Sequence, residues 1–251
     1  MRKRILIIPL FIIGVLIGWR WIDGHYTVPI MMYHRVDEEG KDRADTISPE
    51  RFRQHMEYLK VNGYQVIGLD ELVQGIKSGR KFPHNTVVIT FDDGYEDNYT
   101  TVFPLLKKYR ILARIFLATS FIGGTRTLRS GAMLPMLTWD QIREMKSSGL
   151  VEFHPHTHTH PKLTTIPLSD ARKEIEQSMQ PGLGNFFAYP YGYYNADIVQ
   201  LVRDLGFARA YTVRAGAVTA DTDPLLIPRN SIDSCVTFSM FQGIIQRGRI
   251  R

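Results

Sequence analysis

Thr86-Val87-Val88-Ile89-Thr90-Phe91-Asp92-Asp93-Gly94 is the stretch on which the reading of this chain turns. Residues 86–91 are rich in β-branched side chains, as suits a strand buried in a parallel sheet. The run stops on two adjacent carboxylates and a glycine. Neighbouring strand residues point to opposite faces, so Asp92 and Asp93 share one pocket only if the turn at Gly94 brings them together. An acid pair at a strand end can also be no more than a helix cap or a loop feature.

The same alternation continues on both sides. Strands are expected at 28–33, 64–67, 113–117, 151–153, 186–189 and 208–213, where short apolar runs meet turn residues. Between them lie helical patterns. Ser48 caps a helix with Pro49 in its first turn, Phe52, Met56 and Leu59 on one face, and Gly63 at its end. Further helices are expected at 70–76, 98–109, 169–179 and 195–205. Thr138-Trp139-Asp140-Gln141 is a capping box that starts another, running to Ser147. Strand–helix alternation implies a parallel sheet. About seven such units favour a closed or nearly closed barrel with the motif residues at its carboxyl-terminal rim.

Length and composition agree with one large domain of 251 residues, 44% of them hydrophobic. Cys235 is the lone cysteine, so no internal disulfide is available. The net charge of +6 includes Arg2, Lys3 and Arg4, and no basic stripe with interleaved aromatics argues for a nucleic-acid partner. Those three cations precede an uncharged apolar run over 5–19, which as a helix spans about 22 Å, or about 27 Å if extended to Ile22. We read 1–23 as an uncleaved signal-anchor helix with a cytoplasmic amino terminus. Residues 24–251 then form a catalytic domain outside the cytoplasmic membrane. Cleavage as a signal peptide, which would release the domain, is the alternative.

Four of the eight histidines fall within His154-Pro155-His156-Thr157-His158-Thr159-His160. Carboxylate plus imidazole is the ligand set of a catalytic divalent metal. His156 and His160 share a face if the segment makes a helical turn. All four histidines share one if it is extended, which would suit a metal-scavenging tract or a hydrated strand. His34 follows Met31-Met32-Tyr33 at the end of the first expected strand, where alone it reads as a core-edge histidine. Tyr189-Pro190-Tyr191-Gly192 follows another strand, and its tyrosines either line a sugar site or pack.

Together these segments resemble the NodB-type polysaccharide deacetylases, carbohydrate esterase family 4, over about 28–232 of this sequence. The resemblance implies a distorted (β/α)7-type barrel, the NodB homology domain, here preceded by the membrane helix. It makes Asp92 the catalytic base and Asp93 a metal ligand. His156 and His160 become the other ligands, as the ends of a His-(Ser/Thr)-x-x-His motif. The third motif of the family, Arg-x-Pro-Tyr, reads Ala188-Tyr189-Pro190-Tyr191 here, so the arginine that orients the base is missing. Arg229, in Ile227-Pro228-Arg229, is the candidate replacement from another strand. Tyr191 keeps its place, and its backbone N–H is expected at the oxyanion. No histidine follows His160, and Met31-Met32-Tyr33-His34 looks like the circularly permuted arrangement of poly-N-acetylglucosamine deacetylases. That makes His34 the expected general acid.

The activity so implied is metal-dependent removal of N-acetyl groups from N-acetylglucosamine units of an extracellular or cell-wall polysaccharide. The cofactor is a divalent cation, zinc first, with cobalt and nickel also suited to this ligand set. A catalytically decayed, membrane-tethered glycan-binding domain is the non-enzymatic alternative. Two-His, one-carboxylate iron oxygenases use similar ligands, but the α/β pattern and extracytoplasmic placement speak against them. A glycosidase needs carboxyls about 5 Å or more apart across the scissile bond, which adjacent residues at one strand end suit poorly.

Overall fold

A computed structural model describes residues 27–38, 45–128, 131–219 and 221–247. The segment 1–23, read above as an anchor, lies outside the described residues. Among those described, no helix is long and apolar enough to cross a membrane. The elements follow in order as β1 (Ile30–Tyr33), β2 (Arg35–Val36), β3 (Thr46–Ile47), α1 (Pro49–Val61), β4 (Gln65–Val66), α2 (Leu69–Lys77) and β5 (Thr86–Asp93). Next come α3 (Phe103–Tyr109), β6 (Ala113–Leu117), β7 (Thr125–Thr127), β8 (Met133–Pro135), α4 (Trp139–Ser147) and β9 (Val151–Pro155). The described residues end with α5 (Leu168–Ser178), β10 (Phe186–Ala188), α6 (Ala196–Asp204), β11 (Arg209–Tyr211), β12 (Asn230–Ser231) and α7 (Phe238–Arg247).

Parallel pairing runs β12-β1-β5-β6-β9, and β10 pairs with β11. Tyr211 at the end of β11 bridges in parallel to Ile227, whose segment leads into β12. The ring is therefore continuous except between β9 and β10, which lie side by side without a ladder. This is the nearly closed barrel that strand–helix alternation implies. Among the described residues β4 pairs only with the start of β5.

Alternation along the strands sorts the core into two layers. Met31, Tyr33, Val87, Ile89, Phe91, Ile115 and Phe153 face helices and pack with Phe52, Met56, Leu106, Ile142 and Phe241. Ile30, Val88, Phe116, Phe186, Ala188 and Tyr211 form the inner cluster. On β5 the inner set is Val88, Thr90 and Asp92 by the same period of two.

The local signals act where the sequence places them. Ser48 accepts from the Arg51 N–H to cap α1, and the Thr138–Gln141 box is made in both directions. The expected single helix over 98–109 instead opens as a π-helical turn, Asn98–Val102, before α3. Pro104 supplies the reason: it has no N–H for the regular bond to Thr100, so the turn widens and Phe103 N–H reaches back to Asn98. The β2–β3 pair, the antiparallel β7–β8 hairpin, β12 and α7 have no counterpart among the expected elements.

Candidate metal centre and active site

Register places the motif residues at one end of the barrel. Tyr33 pairs with Phe91, so His34 follows at the level of Asp92. Asp92 and Asp93 pair with Phe116 and Leu117 on β6, and Leu117 pairs with Pro155 on β9. His156 is then the first residue past β9, and Tyr191 lies in the turn Pro190–Gly192 just past β10. These carboxyl-terminal strand ends line a cavity of about 440 Å³ that includes His34, Asp92, Asp93, His156, His160 and Tyr191.

Strand alternation alone would send Asp92 inward and Asp93 toward the helices. Asp93 escapes it by adopting φ 75°, which turns its carboxylate back to the cavity. A left-handed conformation in a non-glycine residue costs about 1–3 kcal/mol and persists where surrounding structure fixes it. Gly94 follows at φ 83°, and a Cβ there would lie 2.5 Å from Leu117 Cδ2, so only glycine fits this corner.

The histidine segment is neither a helical turn nor an extended strand. His156 continues from β9, and Thr157 at φ 66° and His160 at φ 60° fold the following loop back on itself. His160 N–H donates to Thr157 Oγ1 across the loop at 3.1 Å. The result puts His160 Nε2 3.1 Å from His156 Nε2 and 3.1 Å from Asp93 Oδ1, with His156 Nε2 3.7 Å from the same oxygen. His154 and His158 stay outside: His154 stacks on Phe186 at 4.9 Å, and His158 pairs with Thr119 Oγ1.

Asp93, His156 and His160 are the one group of acids, histidines and cysteines among the described residues whose donor atoms converge as a cation requires. Bonds of 2.0–2.1 Å in a tetrahedral site separate neighbouring ligand atoms by about 3.3 Å. The 3.1, 3.1 and 3.7 Å triangle matches that spacing. Asp93 Oδ1 is also buried without a hydrogen bond, a costly condition that a cation would relieve. His156 Nδ1 donates to the Ala188 carbonyl at 2.7 Å, which leaves its Nε2 lone pair aimed at the cluster. The residues therefore fit a divalent cation.

Charge is arranged to keep both aspartates ionised. Burial by itself would raise the Asp93 carboxyl, but the groups beside it, the His160 ring and the Arg126 guanidinium first, outweigh burial and hold it well below the usual range. Asp92 follows the same pattern, its burial outweighed by Arg229, His156 and His34. Burial pushes the His160 imidazole down to about 3 and also lowers His156, so both rings are neutral and ready to ligate.

Arg229, just before β12, reaches up the inside of the barrel. Its Nη1 and Nη2 donate to Asp92 Oδ1 and Oδ2, both at 2.7 Å, with Arg229 fully buried and Asp92 only 2% exposed. Its Nε donates to the Thr212 carbonyl at 3.0 Å, fixing the fork. Arg229, the residue expected to stand in for the arginine absent at Ala188, is thus the side chain that holds Asp92. Asp92 Oδ2 lies 3.9 Å from His156 Nε2, directly beside the cation cluster.

His34 lines the cavity, and its carbonyl accepts from Asn98 Nδ2 at 3.0 Å. Asn98 belongs to the π turn and also bonds Asp97, whose carboxyl burial pushes up to about 6. Tyr191 holds φ 57°, with its ring against His160 at 4.6 Å and half exposed at the rim. Lys162 lies over the neighbouring Tyr193 ring. Two charged cavity residues were not anticipated from sequence: Asp45, and Arg126 on β7, whose Nη1 lies 2.7 Å from Asp93 Oδ2. Nothing local marks Arg126; only the fold of the hairpin carries it in.

Comparison with known proteins gives a consistent picture. The sequence model of a family described as polysaccharide deacetylase matches residues 79–210. A poly-beta-1,6-N-acetyl-D-glucosamine N-deacetylase of Staphylococcus epidermidis is 32% identical over 198 residues, covering 73% of this chain and 67% of the relative. One of the same description from Staphylococcus aureus is 30% identical over 216 residues, covering 80% and 71%. Among solved structures, the Streptococcus pyogenes deacetylase PplD in complex with acetate superposes with a TM-score of 0.74 at 26% identity, over 87% of this chain and 98% of that one. IcaB from Ammonifex degensii gives 0.72 at 25%, over 90% and 98%.

Proposed function

The chain belongs to the polysaccharide deacetylase family, and from that premise we propose that it removes N-acetyl groups from N-acetylglucosamine units of an extracellular or cell-wall polysaccharide by metal-assisted hydrolysis. Poly-β-1,6-N-acetylglucosamine is the first candidate polymer, because relatives covering most of the chain carry that name. The observation that carries the reading is the convergence of Asp93, His156 and His160 on one point, with the Arg229-held Asp92 beside it.

Asp93, His156 and His160 hold the divalent cation in this scheme, zinc first, with cobalt or nickel as alternatives. When bound, the cation acts as a Lewis acid that polarises the acetamide and lowers the pKa of water toward about 7. Asp92 accepts the proton of the attacking water. Arg229 holds both Asp92 oxygens in one plane, so the base is oriented before substrate arrives. The Tyr191 N–H, in its left-handed turn at the rim, supports the developing oxyanion. Donors of that kind are worth about 3–4 kcal/mol. His34 protonates the departing amine as the carbon–nitrogen bond breaks. One water is consumed, and acetate and a free glucosamine amine leave. The decayed glycan-binding alternative rested on the missing motif arginine, and the Arg229–Asp92 pair removes its basis.

The sequence supports placing this domain outside the cytoplasmic membrane, tethered by 1–23, since Arg2, Lys3 and Arg4 precede the apolar run. The test of function is acetate release from β-1,6-linked N-acetylglucosamine oligomers, chitin oligomers and peptidoglycan. Acetate from the first of these supports the full reading. Acetate from none, by protein carrying one cation per chain, defeats it.

A further inference from the structure

The two histidines of the cluster differ in what lies behind them. His156 turns its outer nitrogen to a carbonyl, the usual arrangement for an imidazole that ligates a metal. His160 turns its outer nitrogen to Arg126: Nη2 lies 2.8 Å from His160 Nδ1. A guanidinium has donors and no acceptor, so at this contact Nδ1 must accept. A neutral imidazole then carries its proton on Nε2, the atom 3.1 Å from His156 Nε2 and 3.1 Å from Asp93 Oδ1. His156 Nε2 is free to accept, because its own proton is on Nδ1 and donated to Ala188. Every donor in this chain finds an acceptor, from Arg126 through His160 and His156 to the Ala188 carbonyl. The proton on His160 Nε2 occupies the lone-pair direction a cation would need. Proton chain and cation are mutually exclusive.

Arg126 acts on the third ligand as well. Its Nη1 lies 2.7 Å from Asp93 Oδ2 and 3.3 Å from the Tyr95 hydroxyl, with the arginine side chain 12% exposed. That contact occupies one Asp93 oxygen and leaves Oδ1 facing the histidine pair. It also fixes a full positive charge beside the cation site, in a cavity that attenuates it far less than water does. The chain spends its antiparallel hairpin, β7–β8, on delivering this residue.

We propose that Arg126 is a positioning residue that limits the affinity of the site for its divalent cation, by tying His160 into a proton chain that excludes the cation and by adding a repelling charge next to it. The proposal rests on reading Asp93, His156 and His160 as the cation ligands. Loading requires the His160 proton to move from Nε2 to Nδ1 and Arg126 to give up that ring while keeping Asp93. Arg126 would thus leave a bound cation able to exchange while keeping Asp93 Oδ2 for itself.

The test uses the whole domain and zinc alone. Zinc affinity is measured by competition with a chromophoric chelator for the wild type, Arg126→Met and Arg126→Lys. The methionine variant should bind zinc about tenfold more tightly or better, because a unit charge beside the site and the proton chain are both removed. The lysine variant, with its charge but no fork, should fall between. A residue that merely supports the fold would give the opposite sign. Equal or weaker affinity in Arg126→Met overturns the proposal. Nitrogen-15 NMR of the chelator-treated wild type gives a readout that needs no variant to fold: His160 should be the Nε2–H tautomer, and an Nδ1–H tautomer overturns the proposal. If the wild type takes up no zinc at all, it is the metal-site reading that fails.

Discussion

Replacing Arg229 with methionine strips Asp92, the proposed base, of its partner while filling most of the same volume. Asp92 is 2% exposed and Arg229 fully buried, with two contacts of 2.7 Å between them. Removing one partner of such a pair leaves an uncompensated buried charge, at a cost of about 3–5 kcal/mol. Asp92 escapes part of that cost by taking up a proton, at about 1.4 kcal/mol per unit of pKa shift. The sign follows from the causes of its present shift. In the wild type, Arg229 and the groups beside it hold the Asp92 carboxyl low against burial, so its contribution to stability is complete above the ordinary carboxylate pKa and fades as pH falls. Without Arg229, burial gains the upper hand and the carboxyl rises. The stability gap between wild type and variant should therefore widen from pH 4 to pH 8. A protonated Asp92 is no base, so kcat/KM near neutrality should fall about 10²–10⁴-fold. The acid limb of its pH profile should move upward. Urea denaturation across pH, with acetate release across the same range, checks both. Undiminished turnover in Arg229→Met or Arg229→Ala, with an unchanged unfolding midpoint, refutes the reasoning.

Three further perturbations separate the roles. Asp93→Ala should lose both bound metal and activity, whereas Asp92→Asn should keep metal at one per chain and lose turnover; elemental analysis beside acetate release distinguishes them, and full activity in either contradicts the scheme. His34→Gln should depress hydrolysis of the acetamide far more than that of an activated acetate ester, whose leaving group needs no proton; equal losses on both substrates would remove His34 as the acid. Burial against Phe241 holds the His55 imidazole down from 6.5 to about 3, so between those values the unfolded chain binds a proton that the folded one does not, and stability falls as pH falls. His55→Leu should flatten this dependence by about 1.4 kcal/mol per pH unit, read as unfolding free energy from pH 6.5 to pH 4; an unaltered slope would show that His55 does not carry it.

Strand–helix alternation and the helix caps are sequence-local features, and the barrel elements fall close to where those patterns put them. The Ser48 cap and the Thr138 box need only residues three apart. Asp92, Asp93, His156 and His160 stood out because like chemistry is crowded into short runs at strand ends. Periodicity misjudged how they converge: three left-handed residues, Asp93, Thr157 and His160, do what neither a helix nor a strand would. No residue type announces that conformation, since tertiary contacts impose it. Arg229 was legible as the replacement for the absent arginine only through the family resemblance. Its bond to Asp92 spans 137 residues and depends on closure of the barrel. Arg126 was not legible at all, because the β7–β8 hairpin is short, half exposed and weakly patterned.

Metal dependence at the Asp93–His156–His160 cluster is the claim from which the chemistry follows. Its most direct measurement is a titration of chelator-stripped protein with zinc, following acetate released from a β-1,6-linked N-acetylglucosamine oligomer. Activity should be absent at the start, rise in proportion to added zinc and reach its plateau at one equivalent per chain. Acetate release that is undiminished after stripping, or absent at every zinc loading, contradicts the account.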